Sequence, residues 1–109
     1  MKYFHNEIIN HWYQFSIFEQ MANIGAEVGR AIAWKKKNQK QIFLNAFYRA
    51  LELIDLTAAD KKNKNRLKEI LRLREVIADF LVGENIYKQT EEQIEKYFYY
   101  YNLAIRKNK

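Results

Sequence analysis

The chain contains no cysteine and no proline, and only three glycines and two histidines in 109 residues. Lack of cysteine excludes a disulfide framework, a thiolate metal site and a cysteine nucleophile together, so packing alone must hold the fold. With no proline, and glycine confined to Gly25, Gly29 and Gly83, chain breakers are few. Element boundaries then fall to polar caps, which is the composition of a helical protein. Long apolar runs are also missing: stretches such as Ile42 to Leu44 are a few residues long, far short of the roughly 18 that cross a membrane. The N-terminal MKYFHNEIINHWYQF carries Glu7, Asn6 and Asn10 where a signal peptide needs continuous apolar character. A soluble, cytoplasmic protein with no membrane partner is expected.

Scarce histidine narrows the chemistry further. His5 and His11 both precede the first long helix, whereas a carboxylate-bridged metal site in a bundle needs Glu-x-x-His pairs on facing helices. Their spacing also misses the i, i+4 placement that puts two ligands on one helical face. Neither Arg72 nor Arg74 is followed by a histidine, the pairing used by ribonucleases of small helical folds. GAEVG at Gly25 to Gly29 lies inside a predicted helix, where small residues permit close helix packing rather than cradle a phosphate. No metal and no cofactor are expected.

Four amphipathic segments are present. SIFE at Ser16 to Glu19 reads as a capping box, and Phe18, Met21, Gly25, Val28 and Ile32 follow at helical period to about Lys37. Asn38 with Gln41 repeats the capping pattern before Phe43, Phe47, Ala50 and Ile54, in a helix ending near Thr57. TAADKKNKN interrupts the pattern, and Leu67, Ile70, Leu71, Arg74, Ile77 and Leu81 then form a third stripe that Gly83 would close as a C′ residue. TEEQ at Thr90 to Gln93 is another capping box and opens a fourth helix over about 91 to 107. Short connections predict an all-α, up-and-down four-helix bundle forming a single domain over 1–109. Residues 16–107 form the bundle, and residues 1–15, with Phe4, Ile8, Trp12 and Phe15, form a short N-terminal arm or helix.

The fourth helix carries five consecutive aromatics, Tyr97 to Tyr101. Ile94, Tyr97, Phe98, Tyr101 and Ile105 fall on one face and read as core, which leaves Tyr99 and Tyr100 unexplained. They fit burial against the arm or another subunit, or stacking on nucleic-acid bases. The formal charge is +6, from 19 Lys and Arg against 13 Asp and Glu, which favours polyanions and also serves plain solubility. An up-and-down topology would gather Lys61, Lys62, Lys64 and Arg66 with Arg106, Lys107 and Lys109 into one basic pole able to contact phosphates. Lys35, Lys36, Lys37 and Lys40 would lie at the other pole, near Glu84, Lys88, Glu91 and Glu92, more nearly neutralised. Asn23, Glu27, Arg30, Glu52, Asp55, Arg72, Arg74, Glu75 and Asp79 flank the apolar stripes and fit interhelical pairing; as a cluster, Glu27, Glu52, Asp55, Arg72 and Arg74 would serve a small helical enzyme or toxin-like nuclease instead.

The segments EQMANIGAEVGRAIAWKKKN, ALELIDLT, RLKEILRLREV and EKYFYYYNLAIR, spanning most of residues 19–106, resemble those of a small bacterial family of uncharacterised helical proteins. ANIGAEVGR from Ala22, the bundle pattern and the basic surface are similar, more distantly, to the four-helix-bundle proteins encoded by ribosomal-RNA intervening sequences and to the accessory variability determinants of diversity-generating retroelements. That resemblance implies a ring-like homo-oligomer, commonly a pentamer, whose retroelement members bind nucleic acid and a reverse transcriptase. The expected function is a non-enzymatic, oligomeric binding or adaptor protein that contacts nucleic acid through Lys61, Lys62, Lys64, Arg66, Arg106, Lys107, Lys109, Tyr99 and Tyr100.

Overall fold

The computed structural model describes residues 11–107, and these are all-helical. Four α-helices follow one another, α1 over Ile17–Lys36, α2 over Lys40–Ala59, α3 over Leu67–Val82 and α4 over Glu91–Lys107, with a 3-10 helix over Lys61–Arg66 between α2 and α3. Residues 11–14 form a helical turn ahead of α1. Phe4, His5 and Ile8 of the expected arm, and Lys109 of the expected basic pole, lie outside the described residues. No helix among the described residues is long and apolar enough to cross a membrane, and they contain no group of His, Cys, Asp and Glu suited to a metal ion.

Helix α1 is the central element: it packs along both α2 and α4, while α3 leans mainly on α2. Lys35 Nζ donates to the Leu81 carbonyl at 2.5 Å and Lys36 pairs with Glu91 at 2.6 Å, so the end of α1 lies beside the end of α3 and the start of α4. Met21, Ile24, Val28 and Ala31 of α1 meet Phe47, Ala50 and Ile54 of α2, Ile70 and Ile77 of α3, and Ile94 and Phe98 of α4 in one core. Both capping boxes form. Ser16 Oγ accepts from the Glu19 N–H at 3.1 Å while Glu19 Oε1 accepts from the Ser16 N–H at 3.0 Å. Thr90 and Gln93 make the same reciprocal pair at 3.1 and 2.9 Å, satisfying amide donors that the first helical turn leaves open.

Other boundaries differ from the sequence reading. Asn38 does not cap α2: at φ 58° it closes α1 in the left-handed conformation that Asn tolerates. Gln39 is the residue before α2, without a side-chain cap bond. Helix α2 runs on to Ala59, and the polar KKNKNR is the 3-10 helix, its first turn capped by Asp60 Oδ1 accepting from the Lys62 N–H at 3.2 Å. Gly83 does end α3, yet with φ −94° and not in the left-handed region. What requires glycine there is closeness, since a Cβ would come within 2.9 Å of Asp79 Cα. On α3 the buried residues are Ile70, Leu73, Ile77 and Leu81, while Leu67 and Leu71 are exposed. Packing chiefly against one neighbour leaves α3 a narrow buried stripe, and the flanking leucines fall outside it.

The end of the molecule holding the start of α1 is organised by buried polar groups. Gln20 and Thr57 are fully buried, Asn63 and Asp60 nearly so. Gln20 Nε2 donates to the Trp12 carbonyl and to Asp60 Oδ2, both at 2.9 Å, and Gln20 Oε1 accepts from Asn63 Nδ2 at 2.8 Å. Asn63 Nδ2 also reaches the Thr57 carbonyl at 3.0 Å. The Trp12 indole N–H donates to Thr57 Oγ1 at 3.0 Å, and that hydroxyl donates to the Leu53 carbonyl at 2.7 Å. No buried side-chain nitrogen or oxygen among the described residues is left without a partner. Trp12 is thereby part of this chain's own core.

Two glycines of α1 have opposite surroundings. A Cβ on Gly25 would come within 2.7 Å of Phe98 Cβ and Cγ, so α1 and α4 approach closely only because that atom is missing. A Cβ on Gly29 would meet nothing within 4 Å. Gly25→Ala is therefore expected to destabilise by about 1–3 kcal/mol through overpacking, and Gly29→Ala to stabilise by about 0.5–1 kcal/mol through helix propensity. Urea denaturation of both variants checks this, and shifts of the same sign would defeat it.

Asp60 gives a pH dependence. Burial alone would raise its carboxyl, but hydrogen bonds from Lys62 and Gln20 outweigh that and hold it below its ordinary 3.8. A carboxyl depressed in the folded state contributes stability that is fully present above its unfolded pKa and is lost as pH falls through the folded value. Chemical denaturation from pH 6 down to pH 2 should show the stability gap between wild type and Asp60→Asn closing as acid is added. Parallel curves would remove Asp60 from that role.

Candidate nucleic-acid interface

The expected basic residues divide by what surrounds them. Lys62 is committed to the core knot: its ammonium pairs with Asp60 and donates to the Tyr13 carbonyl at 3.0 Å. Lys61 and Lys64 lie exposed on the 3-10 helix, and Arg106 and Lys107 are exposed at the end of α4. None of these four enters an ion pair among the described residues. Arg66 joins the two groups, because it lines a surface depression of about 280 Å³ with Phe18, Tyr97, Tyr100, Tyr101 and Ala104. Its guanidinium sits 5.8 Å from the Phe18 ring centroid and 3.3 Å from Glu69 Oε1.

The two unexplained tyrosines part company. Tyr100 is 73% exposed and borders the Arg66 depression. Tyr99, one residue and about 100° further round the helix, is 53% exposed and borders Glu92, Glu95 and Lys96 on one side and the Gly25–Gly29 surface of α1 on the other. Carboxylates repel phosphate, so Tyr100 has the surroundings a stacking residue needs and Tyr99 does not. Tyr97, Phe98 and Tyr101 turn inward, as their spacing predicts: Phe98 and Tyr101 are buried and Tyr97 half-buried.

At the opposite pole the lysines are largely occupied. Lys36 holds Glu91, Lys35 holds the Leu81 carbonyl, and Lys37 lies 4.9 Å from the Trp34 ring centroid. The charges that the alternative reading would gather into one reactive cluster make separate contacts. Glu27 pairs with Arg30 at 2.5 Å and Arg49 at 3.9 Å, Asp55 takes Arg74 at 2.7 and 3.3 Å, and Arg72 lies over the Tyr87 ring at 4.9 Å. Asp55–Arg74 and Glu27–Arg49 bridge neighbouring helices, the register-fixing arrangement the sequence pattern favours.

Comparison of the chain with protein-family models, curated proteins and solved structures finds no match. The site therefore has to be read from its own geometry.

Glu69 was not singled out by sequence pattern, yet it ties α3 to α4. Its Oε2 accepts from the Tyr97 hydroxyl at 2.9 Å and from the Tyr101 hydroxyl at 2.8 Å. Burial raises the carboxyl, but the donors Tyr101 and Tyr97 and the Arg66 charge prevail and hold it below 4.5. Burial first, then Tyr101 and the nearby carboxylate, push the Tyr97 phenol well above its ordinary 10. The available signal was the i, i+4 pair Tyr97 and Tyr101, two hydroxyls on a core face that need a common acceptor. Gln20, Thr57, Asp60 and Asn63 were missed as well, and Gln20 carries a signal of the same kind, a polar residue four before Ile24 in the buried stripe.

Tyr97→Phe and Tyr101→Phe should each cost less than about 1 kcal/mol, since the carboxylate is partly exposed. The double variant should depart from additivity, because both donors share one oxygen. A double-mutant cycle by thermal and urea denaturation checks this; strict additivity would mean the two bonds act independently.

Proposed function

We propose that the protein is a non-enzymatic, self-associating binding or adaptor protein that contacts single-stranded nucleic acid through the pole bearing Lys61, Lys64, Arg66, Tyr100, Arg106 and Lys107. The observation that carries the reading is Tyr100, 73% exposed beside Arg66 in one depression, with Lys61 and Lys64 on the 3-10 helix that ends at Arg66 and Arg106 and Lys107 at the end of the helix that carries Tyr100, all four exposed and outside any ion pair among the described residues. An exposed aromatic ring offers a stacking face to any base, and unpaired cations supply phosphate contacts. Lys62 and Tyr99 are left out of this interface because Asp60 occupies the first and acidic neighbours surround the second.

The alternation of helix ends brought together by Lys35 with Leu81 and Lys36 with Glu91 supports an up-and-down four-helix bundle. The dispersal of Glu27, Asp55, Arg72 and Arg74 into separate contacts supports a binding role over a toxin-like nuclease. A homo-oligomer and a reverse transcriptase partner are what the resemblance to retroelement accessory proteins implies, and with the cytoplasmic setting expected from the composition they belong to the same reading.

Fluorescence titrations with single-stranded RNA and duplex DNA over a series of salt concentrations test it. Wild type should bind with affinity that falls with salt, and replacing Lys61, Lys64, Arg106 and Lys107 by Gln should flatten that dependence. Tyr100→Ala should weaken single-strand binding by about 1–3 kcal/mol and leave duplex binding nearly unchanged. No binding at low salt would end the nucleic-acid reading.

A further inference from the structure

Helices α3 and α4 are tied together at one end, and the loop that joins them is pinned to α3 at the other. At one end Glu69 receives the hydroxyls of Tyr97 and Tyr101. At the other, the chain between the helices is pinned to α3: Asp79 Oδ1 accepts from the Ile86 N–H at 2.8 Å and Oδ2 from the Tyr87 N–H at 2.9 Å. Asn85 fixes the same loop by exchanging side-chain bonds with the Gln89 backbone at 2.9 and 3.0 Å. Between these anchors lies a cleft of about 220 Å³ with Leu73, Val76 and Ile94 among its walls and Arg72, Gln89 and Gln93 as further lining. A dry apolar cavity of about 150 Å³ accepts benzene, so this one has room for a six-membered ring and one small polar substituent.

The charged groups around the cleft differ in what already holds them. Glu69, which also lines it, is already the acceptor for two phenols and is paired with Arg66. Glu75 receives the Tyr87 hydroxyl at 2.8 Å, and Asp79 holds the two loop amides. Arg72 remains. It enters no ion pair among the described residues, and its guanidinium is steadied 4.9 Å from the Tyr87 ring, a ring itself held at both its hydroxyl and its backbone N–H. Arg72 lines the cleft, and its guanidinium, held over Tyr87 and outside any ion pair among the described residues, matches a carboxylate, which it can bind through two parallel N–H donors.

We propose that the α3–α4 cleft is a binding site for a small cyclic carboxylic acid, its ring against Leu73, Val76 and Ile94 and its carboxylate on Arg72. Side-chain amides of Gln89 and Gln93 offer further donors at the lining. This site adjoins the basic pole through Tyr97 and the Glu69–Arg66 pair, but Arg72 is not one of the pole's cations, and the proposal does not depend on nucleic-acid binding.

Benzoate and benzamide, equal in shape and different in charge, are the probes, added to the full chain at constant ionic strength and followed by amide NMR shifts and thermal denaturation. Benzoate should bind saturably at millimolar concentration, shift amides of α3, α4 and the 83–90 loop, and raise the melting temperature. Benzamide should bind at least about tenfold more weakly. Arg72→Gln should abolish the preference for benzoate, and Val76→Phe, which fills the cleft, should abolish binding of both while circular dichroism shows the helices intact. Should Val76→Phe not fold, Val76→Leu, a smaller obstruction, should weaken benzoate binding measurably. Absence of saturable binding, equal binding of the two probes, or unchanged benzoate binding in Arg72→Gln would each overturn the proposal.

Discussion

A buried glutamine sets the conditions for the rest of the fold. Gln20 has no access to water, so both ends of its amide must find protein partners or cost on the order of 1–3 kcal/mol. It finds them in three segments at once: the Trp12 carbonyl ahead of α1, the Asp60 carboxylate after α2, and the Asn63 amide in the 3-10 helix. Geometry that satisfies Gln20 therefore fixes where the chain enters α1, where it leaves α2 and how the 3-10 helix turns into α3. Thr57 reinforces the arrangement from α2 by holding the Trp12 indole. With no cysteine in the chain for a disulfide, a saturated hydrogen-bond network closes this end of the molecule, and a network of this kind is specific because a shifted register would leave polar groups unpaired.

Consequences reach the surface. Because Asp60 is drawn inward by Gln20, it claims Lys62, so one lysine of KKNK is occupied and Lys61 and Lys64 are left facing solvent. The 3-10 helix ends at Arg66, beside α4, and the start of α3 places Glu69 under Tyr97 and Tyr101. The sharing of charge between pole and core is thus decided by a buried amide 40 residues before Asp60 in the chain.

Close contact and separation of helices have equally local causes. Gly25 lets Phe98 settle against α1, which draws α4 toward α1 and leaves α3 to pack on α2. Tyrosine hydroxyls then span what remains between α3 and α4, and a loop pinned by Asp79 and Asn85 closes the far side. A cleft between two helices follows from these distances, lined by Arg72, which enters no ion pair among the described residues and is held by an aromatic ring.

Sequence by itself determined the helices, their approximate limits and most of the core, because period, capping boxes and the lack of proline act within a few residues of one another. Ser16 with Glu19 and Thr90 with Gln93 could be read that way, and so could the inward turn of Tyr97, Phe98 and Tyr101. Asn38 could not: its side chain suits a cap and its backbone suits a left-handed helix end, and the choice depends on how α1 and α2 meet. Leu67 and Leu71 looked like core since period locates a face but not its width, which depends on how many helices cover it. Only the tertiary structure separated Tyr100 from Tyr99, assigned Lys62 to Asp60, joined Glu69 to two phenols and opened the α3–α4 cleft. Each of those depends on groups brought together from different helices, and the strength of a charge or hydrogen bond depends on the distance and burial that packing imposes.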